Sequence, residues 1–310
     1  MGIICTVIIL FGGNSMNLNK LDYGHLTKNI SQMIRKNPFI SVFSCGKSEE
    51  GRDILCLKFG KGDRKIFLNG AHHSLEWITA SLLLSYTNDF AAFLKKEEDF
   101  YGYNILDLYK KATFYVVPMV NPDGVELVIN GIDKLNDNYS KVKMALGKNK
   151  LGKVWQANIN GVDLNHNYDA MFYEGKESIK KLGINMPSPT KYSGAFPFSE
   201  SETRAIKNLC EKENFDVTVA FHSQGEAIYW SYNGKGFSDK AERLAKVSGY
   251  KLITPNGTDS YSGFKDWMIE KFNVPSFTVE VGKGVNPIKF SGFEKIKIDN
   301  YKLINECCYI

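Results

Sequence analysis

The stretch KIFLNGAHHSLEWITASLLLSYTNDFAAFLKK, residues 65–96, decides the fold. Lys65-Ile66-Phe67-Leu68-Asn69 is an apolar run of strand length, and Trp77 to Lys96 is a long apolar-periodic run of helical length. Between them, GAHHSLEW (70–77) reads as a strand-to-helix turn, a common seat of chemistry in α/β proteins. The turn carries two adjacent histidines and a glutamate three residues past the second.

Outward from this unit the same alternation recurs. KIFLNGA (65–71), ATFYVVPMV (112–120), DVTVAF (216–221) and SFTVEVG (276–282) read as buried strands, with helices expected over 77–96, 199–213 and 238–249. A further helical pattern runs from Leu21 to Arg35, and ISVFSCGKSEEGRDILCLKFG (40–60) reads as a β-hairpin. Ser199 with Glu202 forms a capping box for the helix it opens. Apolar strands alternating with helices predict an α/β fold: a mostly parallel, mixed central sheet with helices on both faces. No repeat or Pro/Ser-rich linker divides the chain, so one domain is expected over 21–310, with residues 1–20 as an N-terminal extension.

At 310 residues, 43% hydrophobic and 24% charged, the chain can bury a sizeable core. The net charge of +5 is mild, and no basic cluster is interleaved with aromatics, which argues against nucleic acid as a partner. The apolar run Ile3–Phe11 is too short to span a bilayer and has no Lys or Arg before it. It reads as an added strand or tail, or as the product of a start upstream of Met16. Stable membrane insertion is not expected, and a cytoplasmic location in a bacterium is expected ahead of export. The six cysteines show no C-x-x-C spacing, and Cys307-Cys308 is vicinal, which favours reduced, mostly buried thiols. Oligomeric state leaves no mark in the sequence.

The polar segments follow the strands. GAHHSLE follows the first, NPDG the second and HSQGE the third, while Glu280 ends the fourth. In open α/β sheets ligands bind beyond the carboxyl ends of the strands. Of the five histidines, His72, His73, His166 and His222 lie in polar segments of this kind. Two histidines and a glutamate form a catalytic zinc set with one position left open for water. The spacing alone leaves open whether His72 or His73 belongs to it.

His73-Ser74-Leu75-Glu76-Trp77 resembles the H-x-x-E-W zinc motif of the M14 metallocarboxypeptidases. VNPDG (120–124), NGVDLNHNYDA (160–170), AFHSQG (220–225) and GFKDWMIEKFNVPSFTVEVG (263–282) match further family segments in order. The resemblance implies a single Zn²⁺ per chain held by His73, Glu76 and His222, with His72 as a neighbour packed in the turn. It implies Glu280 as the general base and then acid that moves the water proton to the leaving amine. A structural ion pair with a lysine is the other reading of Glu280. Asp163 matches the aspartate that orients a metal histidine, or else it caps its own turn.

Departures from the family pattern bear on the substrate. Asn165-His166 stands where carboxypeptidases hold a terminal carboxylate with Asn-Arg, so a permanent bidentate clamp is missing. Leu75 replaces a common arginine, and Gln156, or Lys153 in its place, stands where a basic residue steadies the oxyanion. The tyrosine often found before the D-W segment has no clear counterpart; Thr258 falls nearest, with Tyr261 close by. Lys265 stands where the resemblance to digestive members of the family implies the base of the specificity pocket; a cation there favours a carboxylate-bearing side chain, and a lysine pointing to solvent is the other reading. VWQANINGVDLN and the segments around His222 and Glu280 are similar to the bacterial γ-D-glutamyl-L-diamino-acid endopeptidases. That branch implies a peptidoglycan-derived peptide, cut between γ-D-glutamate and a diamino acid of the meso-diaminopimelate type. The alternatives are a conventional zinc carboxypeptidase, a deacylase of small acylated amino acids, and a non-catalytic muropeptide-binding module.

Overall fold

The computed structural model describes residues 16–254 and 261–310. The apolar run Ile3–Phe11, Cys5 and Thr258 lie outside them. In chain order the strands are β1 (Ser41–Lys47), β2 (Asp53–Gly60), β3 (Arg64–Gly70), β4 (Asp99–Phe100), β5 (Tyr103–Asn104), β6 (Ala112–Val117), β7 (Val217–His222), β8 (Ala227–Tyr229), β9 (Ser231–Tyr232), β10 (Lys235–Gly236), β11 (Lys251–Ile253) and β12 (Ser276–Glu280). Eight of them form one sheet in the order β1-β2-β6-β3-β7-β12-β8-β11, and β4-β5 and β9-β10 are separate small ribbons. The centre is parallel: β6 with β3, β3 with β7, and β7 with β12. The flanks turn antiparallel at β2-β6 and β12-β8.

The helices are α1 (Tyr23–Lys36), α2 (Trp77–Lys96), α3 (Ile105–Lys111), α4 (Pro122–Asn130), α5 (Tyr139–Leu146), α6 (Leu151–Val154), α7 (Phe172–Lys181), α8 (Ser201–Glu213), α9 (Ser238–Ser248), α10 (Phe264–Phe272) and α11 (Phe293–Glu306). Side chains alternate across the central strands, so each face of the sheet builds its own core. Val217, Val219 and Phe221 of β7 pack in a cluster with α1, α2, α9 and α11 residues such as Ile30, Leu83, Leu244 and Ile304. Ala220 of β7 and Phe67 of β3 pack on the other face with Ile206 and Leu209 of α8 and with Phe264 and Trp267 of α10. The helix α2 buries residues on every side from Trp77 to Thr87, so its composition is apolar all round. A third, smaller cluster joins Leu127, Val142, Leu146 and Trp155.

The expected architecture is present, and α2 has the expected bounds. The capping box at 199–202 is not formed. Helix α8 begins at Ser201 after an extended Glu200, with no side-chain cap. Tertiary partners claim both residues: Ser199 Oγ accepts from Asn167 Nδ2 at 2.9 Å, and buried Glu202 accepts from Asn158 Nδ2 at 3.3 Å. Among the described residues, Cys45, Cys56, Cys210, Cys307 and Cys308 are free thiols, all but Cys45 buried. None of the described helices is long and apolar enough to cross a membrane.

Candidate metal centre

The strands β3, β7 and β12 are neighbours and parallel, so their carboxyl ends open on one edge. His222 is the last residue of β7 and pairs in register with Glu280, the last residue of β12. The turn after β3 delivers His73 and Glu76 beside them, with Ser74–Glu76 forming one 3-10 turn that leads into α2. Asn121, after β6, braces this turn: its Nδ2 donates to the backbone oxygens of His72 (3.0 Å) and Ala157 (3.1 Å). The NPDG segment thus builds the rim rather than reaching into it. Asp123 turns away to Arg52 (2.6 Å) and Ser48 Oγ (2.7 Å).

His73 Nδ1 lies 3.0 Å from Glu76 Oε1, and His222 Nδ1 lies 3.1 Å from Glu76 Oε2 and 3.2 Å from His73 Nδ1. One ligand atom from each of the three residues falls within 4.8 Å of the others. Two imidazole nitrogens and a carboxylate converging in this way suit a zinc ion, which takes nitrogen and oxygen donors at about 2 Å. Asp163 Oδ1 accepts from His73 Nε2 at 3.1 Å, which leaves Nδ1 as the metal-facing nitrogen. Asp163 also caps its own turn, accepting from the Asn165 N–H at 3.2 Å, and its Oδ2 accepts from the Lys191 N–H at 2.8 Å. Both readings of Asp163 therefore describe one side chain.

His72 points elsewhere. It is fully buried, its Nε2 meets Tyr168 Oη at 2.9 Å, and its ring stacks on His222 with centroids 5.6 Å apart. Burial, then the neighbouring His222 and His73 rings, hold its pKa well below the usual histidine value. Burial alone would raise the pKa of Glu76, but His73 and His222 outweigh it and bring it down to about 2. Asp163 is likewise lowered; burial opposes the shift and His73 overcomes it. Glu280 moves the other way, up to about 8, through burial first and the Glu76 charge second. No lysine or arginine pairs with it among the described ion pairs, so the structural ion pair is absent.

The residues expected to touch substrate are placed differently. Asn165 Oδ1 accepts from the Phe264 N–H at 3.1 Å and so caps α10. His166 follows it in the same 3-10 turn, its Nδ1 buried without a partner. Gln156 Oε1 accepts from Thr190 Oγ1 at 2.9 Å, and Lys153 is exposed on α6. Lys265 is 4% exposed, which overturns the solvent-facing reading: its Nζ donates to the Ser231 carbonyl at 2.7 Å and pairs with the adjacent Asp266. Beside it, a cavity of about 500 Å³ is lined by Trp230, Tyr232, Lys235 and Tyr261.

Sequence reasoning passed over Ser223, Tyr168, Asn121 and Asn286. Asn286, in the loop after β12, donates from Nδ2 to Glu76 Oε1 at 3.2 Å. Its one sequence signal is position: it follows Glu280 closely and precedes a proline.

A histidine pair and a carboxylate poised for one divalent ion, with a proton-holding carboxyl alongside, define a zinc-dependent hydrolase. The chain matches the Peptidase_M14 zinc carboxypeptidase family over residues 26–297 and belongs to it; it is a zinc metallopeptidase. It is 34% identical over 279 residues to gamma-D-glutamyl-L-diamino acid endopeptidase 1 of Lysinibacillus sphaericus, covering 89% of this chain and 69% of that protein. It is also 34% identical over 280 residues to the uncharacterized protein YqgT of Bacillus subtilis, covering 89% and 73%. In fold it is similar to bovine thrombin-activatable fibrinolysis inhibitor, solved with tick carboxypeptidase inhibitor. That match has a TM-score of 0.72 at 17% identity and covers 93% of this chain and 96% of that one.

Proposed function

We propose that this peptidase hydrolyses the amide between γ-D-glutamate and a diamino acid of the meso-diaminopimelate type in peptidoglycan-derived peptides. His73, Glu76 and His222 hold the zinc, and Asp163 fixes the His73 tautomer. Bound zinc supplies a Lewis acid that lowers the pKa of water and polarises the scissile carbonyl. Glu280 removes the proton of the attacking water and passes it to the leaving amine. In the metal-free protein burial and the Glu76 charge raise the Glu280 carboxyl, and a cation held by the three donors would draw it back toward the ionised form that a base needs. The observation that carries the chemistry is the register pairing of Glu280 with His222, which sets the base beside the three converging donors.

The substrate rests on other support. The endopeptidase of Lysinibacillus sphaericus, 34% identical, carries this activity in its name. No arginine stands in the 160–170 segment, so a free terminal carboxylate has no bidentate clamp there. His166, with a buried ring nitrogen still unpaired, and Gln156, whose Oε1 alone is taken, are left as the donors in its place. Lys265 places an ammonium next to the 500 Å³ cavity, where the extra carboxylate of the diamino acid would share it with Asp266. The test compares the zinc-loaded protein on L-Ala-γ-D-Glu-meso-diaminopimelate and on an ordinary peptide with a free C-terminus. Cleavage of the first at the γ-amide is expected. Cleavage of the second alone makes it a conventional carboxypeptidase, and tight binding without cleavage of either makes it a binding module.

A further inference from the structure

We propose that Asn286 is a positioning residue for the Glu76 carboxylate and acts with Ser223 as one clamp. The inference rests on the zinc-site reading and is independent of the substrate. Each oxygen of Glu76 receives one N–H donor from this pair. The Ser223 backbone N–H donates to Oε2 at 3.2 Å, and Asn286 Nδ2 donates to Oε1 at 3.2 Å. The same Nδ2 donates to the Ser223 carbonyl at 2.6 Å, while Ser223 Oγ donates to Asn286 Oδ1 at 2.8 Å. Two acceptors face the amide nitrogen and one hydroxyl faces the amide oxygen, so the amide has one satisfied orientation.

The segments carrying the clamp are laced by backbone. The Val281 N–H donates to the His222 carbonyl and the Gly225 N–H to the Gly282 carbonyl, each at 2.8 Å. Gly282 has φ +63, and a Cβ there would lie 2.8 Å from Ile296 Cδ1, so the path from Glu280 to Asn286 needs glycine. One loop therefore begins at the proton-transferring carboxylate and ends by gripping the metal-binding one. With both oxygens tethered, the plane of the Glu76 carboxylate is set before an ion arrives. A carboxylate tethered on one oxygen would pay ordering entropy on binding.

The experiment measures zinc affinity by chelator competition and the visible spectrum of the cobalt-substituted protein, neither of which needs a substrate. Asn286→Ala should weaken zinc binding about 10- to 100-fold and shift the cobalt bands. Ser223→Ala removes the hydroxyl that holds the amide and should weaken zinc about two- to fivefold, as a single hydrogen bond would. Val285→Ala, at an exposed neighbour in the same loop, should match wild type. A structural role alone would lower the melting temperature of the metal-free protein and leave the cobalt bands in place. Zinc affinity within twofold of wild type and unchanged cobalt bands, in Asn286→Ala or, if that variant does not fold, in Ser223→Ala, overturn the proposal.

Discussion

Glu280→Gln is the substitution with the most to say, because it changes a charge and almost no volume. In the metal-free protein the Glu280 carboxyl is pushed up from 4.5 to about 8 by burial and by Glu76. A folded-state pKa above the unfolded one means that the associated stability is complete below pH 4.5 and is lost as pH rises through 8. At about 1.4 kcal/mol per unit, and with an edge of Glu280 open to the site, ionising it costs the folded state about 3–5 kcal/mol above pH 8. Glutamine carries no charge to bury. The metal-free variant should match wild type near pH 4.5 and exceed it by about 3–5 kcal/mol at pH 9, in denaturant titrations of the two proteins. The zinc-loaded variant should keep its zinc and lose about 10²- to 10⁴-fold in turnover, the usual share of a general base. A stability difference that stays flat from pH 4.5 to 9 refutes the electrostatic reasoning, and turnover within tenfold of wild type refutes the catalytic role.

Asp163→Asn replaces the charged acceptor on His73 Nε2, and zinc affinity by chelator competition should fall about 10- to 100-fold. His72→Phe should keep one zinc per chain by metal analysis and cost about 1–3 kcal/mol in denaturant melts, because the buried Tyr168 hydroxyl loses its partner. Removal of zinc with a chelator should abolish peptide hydrolysis, and added zinc should restore it. Trp267→Ala empties the centre of the α8–α10 core and should cost about 3–5 kcal/mol by denaturant unfolding.

What the sequence shows and what it hides divide along physical lines. The helix α2 and the strands β3, β6, β7 and β12 are legible because each is a continuous apolar run, which a sheet covered on both faces demands. The edge strand β11 and its neighbour β8 are not, since three residues each carry no period. The helix α10 hides inside a stretch whose Asp266, Trp267 and Glu280 draw the eye to chemistry, although its buried Phe264, Trp267, Met268 and Ile269 are core. The cap of α8 is misread because Ser199 and Glu202 have the right spacing, yet Asn167 and Asn158, distant in the chain, outbid the local bond. His72 and His73 are equivalent by spacing and separable by resemblance; the geometry gives the cause, in that Asp163 and Tyr168 each take one of the two rings. Asn286 is invisible from sequence because a neutral amide in a loop carries no periodicity and no charge pattern, and its partner lies 210 residues away.

The assembly of the site follows from one property of the sheet. Adjacent parallel strands lie about 4.8 Å apart and end on the same side. Any residue at the end of β7 is therefore close to one at the end of β12 and to the turn leaving β3, whatever their separation in the chain. Which face those residues occupy is set by the pleat. Phe277 and Val279 of β12 pack with Val219 and Phe221 of β7 in the α2 core, so Glu280 and His222, one step on, both turn to the opposite face. A one-residue slip of β12 would bury the Glu280 carboxylate under α2 and expose Val279 in its place. The apolar pair Phe277 and Val279 is thus what keeps the base on the zinc side. The hydrophobic pattern of an interior strand and the aim of a catalytic carboxylate are here a single constraint.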